Sequence, residues 1–231
     1  MFNIEAYIND LIAECRDVFG DRLLYVGLQG SYLRGEATEE SDIDIMAVID
    51  GLSVADLDTY RNVLAHIGYF DKSCGFICGK NDLLSWNPLE ICQLLHTTKD
   101  YYGTLAELVP KYTREDECNY IKLSLNNLYH ELCHRYVHSD RETNITMLPM
   151  TCKSVFFIIQ NMYYLESGNF VLTKKELLEK LQGENKKILE MTLSFKPANE
   201  YDFNEAFSAL FKWCRKALED VSAKQASDIL I

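Results

Sequence analysis

The chain has 231 residues, 48% of them hydrophobic, with 35 Asp and Glu against 23 Lys and Arg, for a formal net charge of −12. Such a composition can bury enough surface to offset ordering entropy, which excludes a disordered chain, and only 11 Gly and 4 Pro exclude collagen-like or linker-rich architecture. The acidic excess disfavours nucleic acid as a partner, because gripping a phosphate backbone depends on neutralising phosphates with Lys and Arg.

A folded chain of this length buries roughly 72% of its unfolded surface, enough for one large core or two modest ones without disulfides or metals. No apolar run approaches the about 20 residues that span a bilayer. Met1 to Leu11 carries Glu5 and Asp10 where a secretory signal would have a basic start. The expectation is a cytoplasmic protein with no membrane partner. Eight scattered cysteines read as reduced, mostly buried thiols.

In chain order, Ile4, Ile8, Leu11, Ile12, Cys15 and Phe19 recur at helical spacing, and Gly20 offers a stop. Leu23 to Leu28 is a short apolar run entering a turn at Gln29-Gly30-Ser31, and Ile43 to Ile49 is a second strand, apolar on both faces, as for a sheet covered by helices. Ser53 and Asp56 form a capping box for a helix to about His66. A strand over Ser73 to Cys78 follows, then a short helix near Asp82 to Trp86; Leu89 to Leu95 fits either strand or helix, with strand the expectation. Beyond Pro110 the period turns helical throughout, with helices expected at 115–138, 149–166, 173–182, 184–194 and 203–222 and starts marked by Thr173 with Glu176 and Asp202 with Glu205. The fold class is therefore α+β: a mixed sheet with helices over residues 1–110, then an all-α domain over 111–231.

The chemistry is concentrated in Gly30-Ser31-Tyr32-Leu33-Arg34-Gly35 and Ser41-Asp42-Ile43-Asp44. Residues two apart on a strand share a face, so the Asp42 and Asp44 carboxylates converge and would repel without a cation; oxygen ligands of this kind favour Mg²⁺. Gly30 lets backbone approach a ligand, and Ser31 offers a hydroxyl and an N–H to phosphate oxygens. Phosphate beside paired Mg²⁺ ligands points to a nucleoside triphosphate. The plain alternative is that Ser31 and Asp42 cap turns and Asp44 is a solvated strand end.

The Gly-Ser, ten residues, Asp-x-Asp pattern resembles the nucleotidyltransferase superfamily, which includes DNA polymerase beta, the aminoglycoside nucleotidyltransferases and small MNT-type enzymes. The α/β half followed by a helical half is similar to the streptomycin and spectinomycin adenylyltransferases, which implies that residues 111–231 form a substrate-binding domain. In those relatives a Lys in a stretch like Val171-Leu172-Thr173-Lys174-Lys175-Glu176-Leu177 approaches the triphosphate, which implies Lys174; Arg34 adds charge near the leaving group. The family's third carboxylate, a metal ligand or base, falls here on Cys74. Asp71 takes that catalytic role if the strand starts earlier, and Glu90 if the next extended segment reaches the site.

A competing motif is His130-Glu131-Leu132-Cys133-His134, an H-E-x-x-H that on a helix puts two imidazoles on one face to bind Zn²⁺. His138 extends the face by another turn. A zinc hydrolase needs a third ligand, and the distant-His pattern meets Asp140 instead.

The expected function is Mg²⁺-dependent transfer of a nucleoside monophosphate, AMP from ATP, to a hydroxyl of a small molecule such as an aminoglycoside-like antibiotic. Its residues are Asp42, Asp44 and Asp71 as catalytic groups, Asp42 and Asp44 as metal ligands, and Gly30, Ser31, Arg34 and Lys174 on the nucleotide. A net charge of −12 suits a cationic acceptor. The alternatives are an enzyme that adenylylates a protein partner and a nucleotide-binding regulator that has lost catalysis.

Overall fold

The computed structural model describes residues 2–195 and 201–228 and divides into two compact units, Met1–Tyr112 and Thr113–Ile231. In the first, α1 (Ile4–Phe19) is capped by Asn3, whose side chain accepts from the Ala6 N–H, and ends at Gly20. Strand β1 (Leu23–Leu28) leads through Gln29 into the five-residue α2 (Gly30–Arg34), followed by β2 (Ile43–Ile49) and α3 (Val54–Ile67). The capping box of α3 is formed as the sequence implies, with Ser53 and Asp56 each bonding the other's backbone N–H. After β3 (Ser73–Gly79) come α4 (Lys80–Leu84), α5 (Pro88–His96) and β4 (Lys99–Tyr102).

The four strands form a mixed sheet in the order β3-β2-β1-β4, with β2 and β3 parallel and the other pairs antiparallel. Side-chain alternation sends Ile43, Ile45, Ala47 and Ile49 to one face, against α1 and α3, and Met46 and Val48 to the other, against Phe76, Leu83, Trp86 and Leu105. That explains a strand apolar on both faces. Even-numbered Asp44 belongs to the second face, at the end where the apolar cover stops.

The segment Leu89 to Leu95 is helix, not the expected strand. Its Asn87-Pro88 start overrides the apolar run: the Asn87 side chain accepts from the Leu89 N–H, and Pro88 occupies a first-turn position where no N–H is needed. The sheet's fourth strand lies just beyond, in β4, where Tyr25 Oη donates to Asp100 across 2.6 Å.

The second unit, over the described residues, is helical: α6 (Arg114–His138), α7 (Arg141–Thr151), α8 (Lys153–Ser167), α9 (Lys174–Lys180), α10 (Gly183–Ser194) and α11 (Phe203–Asp228). They share one core, centred on fully buried Ile121, Leu125, Val155, Ile159 and Leu210. The expected 149–166 helix begins instead at Lys153, because a separate α7 precedes it and carries Pro149 inside. Proline removes the N–H that would bond the Ile145 carbonyl, and the Tyr201 hydroxyl donates there instead. Among the described residues no helix is long and apolar enough to cross a membrane.

Candidate active site

The β1–α2 turn and the start of β2 lie side by side: the Gln29 N–H donates to the Asp44 carbonyl at 2.8 Å, and Leu28 pairs with Ile45. Gly30 has φ +68°, and a Cβ there would fall 1.8 Å from Asp44 Oδ2. The residue is thus fixed as glycine twice over, by its left-handed backbone and by the carboxylate packed against it. Gln29 Nε2 donates to Thr98 Oγ1 at 2.8 Å and ties the turn to the segment before β4.

Asp44 is half-buried, whereas Asp42 is exposed at the mouth of the strand. Burial raises the Asp44 carboxyl above its usual range and the Asp42 charge adds to this, while a hydrogen bond from the Cys74 thiol and the Arg34 charge act the other way. A shared divalent cation would relieve that repulsion, and the residues fit one. Among the described residues no three or more His, Cys, Asp or Glu side chains form a metal-holding group, and the carboxylates at this strand end are those of Asp42 and Asp44. Mg²⁺ is usually held in this way, by one or two carboxylates with phosphate oxygens and water completing the shell.

The parallel register places Cys74 level with Asp44. Cys74 is exposed, whereas Cys15, Cys78, Cys92, Cys118, Cys152 and Cys214 are buried. Asp71 lies in the exposed turn before β3, and Ser73, not Asp71, starts the strand. Glu90 sits in the first turn of α5 and accepts from Trp86 Nε1 at 2.7 Å, so it is not on an extended segment.

Ser31 is half-buried in α2, where its carbonyl accepts from the Glu36 N–H at 2.9 Å, and Arg34 pairs with Glu36 at 3.0 Å while its charge acts on Asp44. Lys174 opens α9 in the second unit, its Nζ 5.8 Å from the Phe156 ring centroid. The structure thus gathers Gly30, Arg34, Asp42, Asp44 and Cys74 around one strand end, with Ser31 beside Gly30. It adds Gln29 and Thr98, which sequence reasoning missed because it put the fourth strand ten residues too early.

Of the zinc motif, Glu131 is engaged by Arg135 Nε at 2.8 Å and Thr151 Oγ1 at 2.9 Å, and Asp140 caps α7 through the Thr143 N–H and hydroxyl. Each acid is thus drawn into local hydrogen bonds, and among the described residues no three or more His, Cys, Asp or Glu side chains form a metal-holding group.

Residues 8–73, which contain the strand-end cluster except Cys74 and Thr98, match the family model described as a nucleotidyltransferase domain. Over 54 residues, 23% of this chain, identity is 33% to a Methanocaldococcus jannaschii protein named as a protein adenylyltransferase, of whose length the match spans 37%. The spectinomycin adenyltransferase from Enterococcus faecialis, solved with ATP and spectinomycin, superposes with a TM-score of 0.56 at 14% identity, over 94% of this chain and 100% of that one. At that identity the likeness is one of fold. The part of the chain that matches the nucleotidyltransferase domain model is thus the part that carries Gly30, Ser31, Asp42 and Asp44 at its strand end.

Proposed function

We propose that the protein transfers a nucleoside monophosphate, AMP from ATP, to a hydroxyl group of a small acceptor. The observation that carries this reading is the Asp44 carboxylate packed against Gly30 beside Asp42, in the segment that matches the family model. In the reaction the acceptor oxygen forms a bond to the α-phosphorus, the bond between the α-phosphorus and its bridging oxygen breaks, and pyrophosphate leaves. Asp42 and Asp44 would hold Mg²⁺. When bound, the cation neutralises triphosphate charge and polarises the reacting phosphoryl group. Gly30 lets the turn backbone approach the β and γ phosphates, Ser31 gives them a hydroxyl, and Arg34 adds positive charge beside the leaving group. The role of Lys174 on the triphosphate rests on the family resemblance alone. Cys74 supplies no carboxylate at the third position, so Asp71, on the exposed turn, is the acid nearest in sequence to take a base's part.

The test is incubation with ATP and Mg²⁺ against a panel of aminoglycosides, spectinomycin and lincosamides. One acceptor should gain a single adenylyl group with matching pyrophosphate release, both lost in Asp44→Asn. ATP binding with no pyrophosphate release on any acceptor would replace this reading with the nucleotide-binding regulator. A second reading, transfer to a protein, is supported by the name of the Methanocaldococcus jannaschii relative. Label from α-labelled ATP on protein bands of a lysate, with none on the small molecules, would select it.

A further inference from the structure

The His130, His134 and His138 side chains form an exposed row on α6, outside the strand-end site. The His130 and His134 ring centroids are 5.8 Å apart and those of His134 and His138 are 4.8 Å apart. With a metal–nitrogen bond of about 2.0–2.1 Å, an ion bound by an imidazole nitrogen stands about 3.2 Å from the ring centroid. Centroids 4.8 Å apart then subtend about 97° at a shared ion, between the right angle of octahedral and the wider angle of tetrahedral coordination. The 5.8 Å pair would open that angle to about 130°, too wide for either geometry.

From this spacing we infer that His134 and His138 form a two-imidazole site for a divalent transition metal of the Zn²⁺, Ni²⁺ or Cu²⁺ class. Imidazole selects that class over Mg²⁺ and Ca²⁺, which prefer oxygen. Water fills the remaining positions, because among the described residues no third His, Cys, Asp or Glu side chain joins them in a metal-holding group. The cationic neighbours are engaged, Arg135 with Glu131 and Arg141 with Asn204. The site is therefore a two-ligand surface chelate, distinct from the zinc-hydrolase arrangement that the H-E-x-x-H spelling suggests.

The test uses the tag-free full chain at about pH 7.5, with NiCl₂ as the probe and the imidazole C–H resonances of the five histidines read by NMR. Ni²⁺ should first broaden the two resonances that disappear in His134→Ala and His138→Ala. His138→Ala should raise the dissociation constant about tenfold, and His130→Ala by less than about threefold. Equal broadening at all five histidines, or a dissociation constant unmoved in the His134→Ala/His138→Ala double variant, overturns the inference. So does a matching loss of affinity in Cys133→Ser, which would assign the ion to a thiol. No nucleotide enters this experiment, so its failure leaves the transferase reading intact.

Discussion

The two units solve the problem of burial on opposite plans. In the first, a sheet divides the apolar residues into two clusters, one under α1 and α3 and the other under α4, α5 and the Leu105 turn. Strand ends outrun that cover, and a carboxylate such as Asp44 can sit half-buried there at some cost in charge. In the second, long helices interlock around one continuous core, beside which the polar Asn144, Thr151, Gln160 and Asn161 are buried while the charged residues lie further out. A strand end thus holds partly buried polar groups at fixed spacing, whereas a helical bundle offers mainly stability and rows such as the three histidines. Substitutions in the first unit should therefore separate activity from stability, and substitutions in the core of the second should not.

The sharpest separation is expected at Asp44. Asp44→Asn should lower nucleotidyl transfer by about a thousandfold, the loss that follows when several kcal/mol of charge stabilisation is removed. Thermal unfolding should stay put or rise, because burial and Asp42 both oppose the charge that Asn removes. Gly30→Ala should match the activity loss, since the new Cβ displaces the Asp44 carboxylate. A large fall in melting temperature for Asp44→Asn would mean that the carboxylate is structural.

The contrasting case is Leu125→Ala in α6. Leu125 is fully buried, and deleting its side chain should cost about 3 kcal/mol, within the range for core Leu→Ala changes. In hydrogen exchange, protection should fall over α6, α8 and α11. A loss shared equally by α1, α3 and the sheet would show that the two units unfold as one.

A smaller effect is expected at Cys74. A thiol that donates to Asp44 stands at this position, where the resemblance to the nucleotidyltransferases implies an acid. Cys74→Asp should raise turnover about tenfold if a missing third carboxylate limits the rate, a modest fraction of what a well-placed base contributes. An unchanged or lower rate would show that the site does not lack an acid at this position.

The sheet-bearing half and the helical half are legible in the sequence, and so is the closeness of Gly30 to Asp44. Gly30, Asp42 and Asp44 stand out because period-two alternation and a glycine turn constrain their geometry locally, and the register that sets Cys74 beside Asp44 follows from two adjacent parallel strands. Leu89 to Leu95 misleads because a short apolar run carries no period of its own, and only Asn87-Pro88 decides between helix and strand. Strand β4 is four residues long and held by pairing with β1, a long-range interaction that leaves little local pattern. Helix α7 hides behind Pro149, whose cost is met by the distant Tyr201 hydroxyl.

The smallest expected effect lies behind the site, where α3 begins. Ser53→Ala removes a cap and should cost about 1 kcal/mol. Its partner Asp56 carries a pH signature. The Arg22 guanidinium, and after it the Ser53 hydroxyl and N–H, hold the buried Asp56 carboxyl well below its usual value. A depressed folded-state value means that protons bind the unfolded chain more readily, so the stabilisation is complete above the unfolded value of about 3.9 and fades as the pH falls below it. Urea unfolding of wild type and Asp56→Asn should accordingly show a constant gap from pH 7 to about 5 and a shrinking one below about 4. A gap that held constant down to about pH 2 would mean that the native Asp56 interactions survive without the charge, and that the cap, rather than the ion pair with Arg22, secures α3 against the sheet.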